Sequence, residues 1–157
     1  MIERKITPHL LEMARYFPVV TVMGPRQSGK TTLTREVFAN HVYVNLEDKT
    51  AREIAISDPK AFFEQYRPPV IVDEVQRVPD LLSTIQVLAD ESRERGRFIL
   101  TGSHQPRLHA QISQSLAGRT GILQLLPLSI EELSNAGIFL SRDEYLFNGF
   151  MPRLYDE

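Results

Sequence analysis

Residues 24–32 read Gly24-Pro25-Arg26-Gln27-Ser28-Gly29-Lys30-Thr31-Thr32, which is the spacing G-x-x-x-x-G-K-[ST]. Few short strings restrict a fold as tightly, because such a loop works only between a buried strand and the start of a helix. Both neighbours have the required character. Pro18 to Met23 is an apolar run, and Thr32 to Ala39 carries apolar residues at helical spacing. The glycines Gly24 and Gly29 let the backbone curl until successive N–H groups face phosphate oxygens at the positive end of the helix. Arg26 and Gln27 read as shape-setting or phosphate-adjacent rather than catalytic, and Pro25, Ser28 and Thr32 complete the nucleotide-binding loop. Lys30 would reach the β- and γ-phosphates, and the Thr31 hydroxyl would stand beside Mg²⁺. The ligand expected from these residues is a nucleoside triphosphate with Mg²⁺.

A chain of 157 residues is one domain with room for a proper core. Its 42% hydrophobic and 24% charged content is ordinary for a globular protein, and a net charge of −2 gives no positive support for nucleic-acid binding. The absence of cysteine excludes disulfides and thiolate metal sites. No apolar run is long enough to span a bilayer, and Met1 to Ile6 lacks the apolar core of a signal peptide. A cytoplasmic protein without membrane contact is expected.

Along the chain, strands and helices alternate. His41–Leu46 reads as a second strand, Lys49–Ser57 and Pro59–Tyr66 as short helices, and Val70–Val72 as a third strand with no polar face. Pro79-Asp80 opens a helix whose apolar stripe is Leu81, Leu82, Ile85, Leu88 and Ala89. Arg93, Arg95 and Arg97 are expected in its last turn, complementing the dipole, with Gly96 closing it. Phe98–Leu100 and Gly121–Leu126 read as further strands, separated by a polar helix from about Pro106 to Ser115. Ser129-x-x-Glu132 is a capping pattern, and Ser141–Phe147 is a last short helix. The fold class that follows is α/β: three layers, a mainly parallel five-stranded sheet covered by helices on both faces. Ligands bind such sheets at the carboxyl ends of the strands.

The third strand ends in Asp73-Glu74, at the edge of the sheet where the loop also lies. Asp73 would hold Mg²⁺, directly or through water, and Glu74 would polarise the water that attacks the γ-phosphate. Thr101-Gly102-Ser103 ends the next strand the same way. Ser103 there can hydrogen-bond the water or the γ-phosphate, or simply cap the following helix. Arg119, held by a glycine turn before the last strand, is a candidate for stabilising the transferring phosphoryl group, a role that a neighbouring subunit supplies in some ATPases. His104 and His109 lack a carboxylate partner at ligand spacing and read as surface residues.

These strings occur in order with Asn45-Leu46-Glu47-Asp48, Val72 to Pro79, Leu126-Pro127-Leu128-Ser129 and Gly149-Phe150-Met151-Pro152-Arg153. Together they resemble the prokaryotic AAA-like ATPases that carry a C-terminal DUF4143 domain. The resemblance implies a P-loop core of the AAA+ or STAND kind, with ATP as nucleotide and Mg²⁺ as metal. It implies a Walker A lysine at Lys30, Walker B acids at Asp73 and Glu74, and a sensor-like hydroxyl near Ser103. Members of that family continue into a second domain, so residues 1–157 are expected to be a single ATPase domain, a partial version of a longer two-domain protein.

The leading expectation is slow, Mg²⁺-dependent ATP hydrolysis, with a homo-oligomer or a protein partner supplying what one domain lacks. The alternative is a nucleotide-gated interaction module, or an inactive fragment without its output domain. A small-molecule kinase would need an arginine-rich lid, and no arginine cluster between the third and fourth strands reads as one. A guanine-specific N-K-x-D string is absent, which favours ATP over GTP.

Overall fold

The computed structural model describes residues 2–155. In chain order the elements are α1 (Thr7–Tyr16), β1 (Val19–Gly24), α2 (Lys30–Val37), β2 (Val42–Asn45), α3 (Lys49–Ser57), α4 (Pro59–Gln65) and β3 (Val70–Asp73). There follow α5 (Leu81–Asp90), β4 (Phe98–Ser103), α6 (Pro106–Ser115), β5 (Thr120–Gln124), α7 (Ile130–Asn135) and α8 (Arg142–Asn148). Single 3₁₀ turns occupy Val75–Arg77 and Pro152–Leu154.

The strands form one sheet in the order β2-β3-β4-β1-β5, and every pairing is parallel. The two sides of each strand explain the three layers. Val19, Met23, Val70, Val72, Phe98 and Leu100 face a core built with α3, α4, α5 and α6. Val20, Val22, Ile71 and Ile99 face the other way, onto Leu10 of α1 and Leu33 of α2. Strands buried on both faces need apolar residues at successive positions, which is why they read as continuous runs. The expected α/β architecture is therefore present, with the sheet parallel throughout.

Local chemistry sets the helix starts. Asp48 and Asp58 accept N–H bonds from Thr50 (2.7 Å) and Ala61 (3.0 Å) at the heads of α3 and α4. Ser129/Glu132 and Ser141/Glu144 form complete capping boxes on α7 and α8. Glu132 does more than cap. It is buried, and its Oε1 also accepts from Arg4 Nε (3.1 Å) and from the Lys5 N–H (2.9 Å). Burial opposes ionisation of this carboxyl, but the Ser129 and Lys5 N–H groups and the Arg4 guanidinium outweigh it and hold the pKa below the ordinary value of 4.5. A depressed carboxylate pKa stabilises the fold above that value, and the contribution is lost as pH falls through the lower one. Glu132→Gln should cost roughly 2 kcal/mol at neutral pH. The gap to the parent should shrink below pH 4.5 in urea unfolding curves.

One helix goes unannounced in the sequence, and one helix end is corrected. Helix α1 is not signalled: its N-cap, Ile6, makes no side-chain bond, and only Leu10 is fully buried. The segment 91–97 does not continue α5, which ends at Asp90. Its end is pulled into tertiary pairing instead, the Gly96 and Arg97 N–H groups going to the carbonyls of Phe17 (2.8 Å) and Pro18 (2.9 Å). Strand β4 ends at Thr101-Gly102-Ser103, as expected, and these residues pair in register with Val22, Met23 and Gly24.

Candidate nucleotide site

The phosphate loop leaves β1 at Gly24 and enters α2 at Lys30. Gly24 tolerates no side chain, since a Cβ there would lie 2.2 Å from the Leu125 carbonyl oxygen. Gln27 (φ 62°) and Gly29 (φ 91°) are both left-handed, with buried Ser28 between them. Alternation of this kind turns successive N–H groups to one side and makes an anion-binding concavity at the head of a helix. Lys30 Nζ folds back over the loop, donating to the carbonyls of Pro25 (2.8 Å) and Gly24 (3.1 Å). Burial lowers its pKa, partly offset by the negative charges of Glu74 and Asp73. Pro25 is half-buried, Arg26 is exposed and lies 3.5 Å from Glu47, and Thr32 is exposed on the outer side of α2.

The tip of β3 brings the acids alongside. Asp73 is buried and accepts three hydroxyls: Thr31 Oγ1 (2.8 Å) and Tyr43 OH (2.8 Å) on Oδ2, and Thr101 Oγ1 on Oδ1. Tyr43 was not singled out by the sequence; burial first, and then Asp73, push its phenol well above the ordinary range. The donor set suits a hard cation, since Mg²⁺ takes few protein oxygens and shares the rest with phosphate and water. Among the described residues no group of three or more His, Asp or Glu could cage a metal by itself. A nucleotide-shared ion is thus the kind that Thr31 and Asp73 fit.

Glu74 sits one residue beyond the strand in a left-handed conformation (φ 60°, ψ 45°) that is uncommon for a residue with a side chain. Its N–H donates to Thr101 Oγ1 (3.2 Å), and its carboxylate accepts from Gln76 Nε2. Gln76 Nε2 also lies 3.4 Å from Ser103 Oγ. Gln76 belongs to the Asp73 to Pro79 string, yet only the turn at Val75–Arg77 reveals that it links Glu74 to Ser103. Ser103 pairs with Gly24 at the loop's origin. It does not cap α6, whose N-cap is Gln105. His104 and His109 are exposed, as expected.

Arg119 is not with these residues. Its carbonyl accepts from the Val19 N–H (3.2 Å), at the opposite end of β1 from Gly24, on the order of 16 Å away along the strand. There the guanidinium makes a two-pronged pair with Asp90, at 2.7 and 2.9 Å. A role for Arg119 at this chain's own phosphates is therefore excluded by distance.

The apolar side of the loop meets a narrow cleft of about 30 Å³ between Ile2, Thr32, Leu33, Leu128 and Pro152. A hollow of about 730 Å³ lies elsewhere, between α4 and α5.

Solved structures share this architecture. The Walker-type ATPase PABY2304 of Pyrococcus abyssi superposes with a TM-score of 0.65 at 15% identity, covering 97% of this chain and 65% of that one. AMPPCP-bound DnaA from Aquifex aeolicus gives 0.57 at 16% identity, covering 96% and 57%. At such identities the likeness speaks to fold alone. An uncharacterized protein of Mycobacterium tuberculosis is 33% identical over 154 residues, which is 97% of this chain and 34% of that protein. A second, from Mycobacterium bovis, matches equally. This chain spans about a third of the length of those relatives. No helix among the described residues is long and apolar enough to cross a membrane. The AAA domain family matches residues 16–134, a span that holds the phosphate loop, both acids and Ser103, and the chain belongs to that family of P-loop ATPase domains.

Proposed function

We propose that this domain binds ATP with Mg²⁺ at residues 24–32 and hydrolyses it slowly. The observation that carries this reading is the 2.8 Å contact between Thr31 Oγ1 and Asp73 Oδ2, which joins two motifs 42 residues apart into one set of oxygen ligands. Mg²⁺, when bound, would neutralise charge on the phosphates. Loop amides and Lys30 hold the triphosphate, and Thr31 and Asp73 hold the ion. Glu74 orients water and Ser103 reports the γ-phosphate. Catalysis of this kind is positioning and charge stabilisation, so a domain with Arg119 turned away from its own site should be slow. The resemblance to ATPases with a C-terminal DUF4143 domain supports assigning the output to a second domain.

Phosphate release and ATP affinity, measured together, test this. Glu74→Gln should lower turnover by roughly 100-fold while binding survives. One observation favours a second reading, a nucleotide switch with negligible turnover: Gln76 already occupies the Glu74 carboxylate. Tight binding with no phosphate release from the parent protein would select the switch. Absence of ATP binding would sink both.

A further inference from the structure

The phosphate loop is gripped from behind by a cation outside both nucleotide motifs. Arg4 precedes α1 in sequence and is 5% exposed. Its guanidinium spends three donors on three different parts of the chain: Nε on Glu132 Oε1 (3.1 Å), Nη1 on the Ser28 carbonyl (2.8 Å) and Nη2 on the Leu126 carbonyl (2.6 Å). A brace between the N-terminal segment and α7 would need only the first. The other two reach the main chain of the loop and the connection after β5, whose Leu125 carbonyl closes against Gly24.

Ser28 stands between the two left-handed residues of the loop. The Ser28 carbonyl and the Gly29 N–H belong to one peptide unit. A cation on the oxygen polarises that unit and strengthens its N–H as a donor. The guanidinium also backs Gly29 closely, for a Cβ there would lie 3.4 Å from Nη1. Glu132 accepts from Nε and so leaves both terminal nitrogens for the two carbonyls. A lysine could carry the charge but not this fork, since its donors share one nitrogen.

We propose that Arg4 is a positioning residue for phosphate recognition, fixing the Ser28–Gly29 peptide with its N–H toward the ligand and setting a positive charge behind it. The inference rests on the loop binding ATP. It adds that affinity for phosphate is set partly from the N-terminal segment, through α7.

The test is calorimetric titration of ATP and ADP, with Mg²⁺, into the full chain and its Arg4→Lys, Arg4→Met, Glu132→Gln and Lys30→Ala variants, with thermal unfolding of each recorded without nucleotide. Arg4→Lys is expected to fold and to bind both nucleotides about tenfold more weakly. Glu132→Gln, which leaves Arg4 both carbonyls, should lose stability with a smaller loss of affinity. Should Arg4→Met not fold, Arg4→Lys decides alone. Arg4→Lys binding within twofold of the parent would overturn the proposal, whatever its stability. So would affinity falling in step with stability in both variants, since that marks a merely structural brace. A parent that binds no better than Lys30→Ala would refute the ATP reading itself and the Arg4 proposal with it.

Discussion

Lys30→Ala should weaken ATP binding by about 100-fold, the worth of a charge-assisted contact of roughly 3 kcal/mol, while leaving the fold at least as stable. The ammonium is buried against the carbonyls of Gly24 and Pro25, and burial lowers its pKa, so the folded chain disfavours this charge. Removing it relieves that penalty, at the cost of two carbonyl contacts, of which the one to Pro25 is only part-buried. Affinity and thermal midpoint, measured on one preparation, should therefore move independently or in opposite directions. A large drop in the midpoint would mean that Lys30 clamps the loop structurally.

The largest stability effect is expected at Gly24→Ala, at about 3 kcal/mol or more by urea unfolding. The added methyl would sit 2.2 Å from the Leu125 carbonyl oxygen, and neither side can yield cheaply. Gly24 ends a strand paired with Ser103, while the Leu125 N–H is bonded to the Met23 carbonyl at 2.7 Å. Opening that contact would displace the origin of the phosphate loop, so ATP binding should fall as well. An alanine variant as stable as the parent would mean that the connection after β5 moves freely, contrary to its pairing.

Much of this architecture was legible in the chain, and the limits have physical causes. The strands were readable because burial on both faces leaves nearly continuous apolar runs in β1, β3 and the first half of β4, with buried Thr21 accommodated by its hydroxyl contact to Thr120 at 3.0 Å. The starts of α4 and α7 were readable through Pro59 and Ser129-x-x-Glu132, which are local signals. Helix α1 escaped because it lacks a cap and buries a single residue, and the end of α5 was overrun because Gly96 and Arg97 answer to Phe17 and Pro18 rather than to their neighbours. At the site, the loop and the acids are contiguous strings, and their meeting follows from parallel strands ending on one edge. Tyr43 and Gln76 were invisible as partners because each joins its carboxylate only through the three-dimensional register of the sheet and the turn after it. The Arg4–Glu132 pair spans 128 residues, beyond any sequence periodicity. Arg119 shows the reverse failure: a glycine turn beside a buried strand suggested function, but it lies at the amino end of that strand, where it pairs with Asp90.

The strand order carries a consequence for the birth of the protein. Strand β1 has no neighbour close to it in sequence: it pairs with β4, starting 79 residues later, and with β5, starting 101 residues later. During synthesis the loop residues 24–32 emerge before their strand's two neighbours and wait for them, and non-local parallel pairing of this kind is slow. Nucleotide can act on the chain only once β4 has slotted between the loop's strand and the acids' strand. On the proposed reading, ATP would stabilise the finished sheet by mass action and offer nothing to the unfinished one.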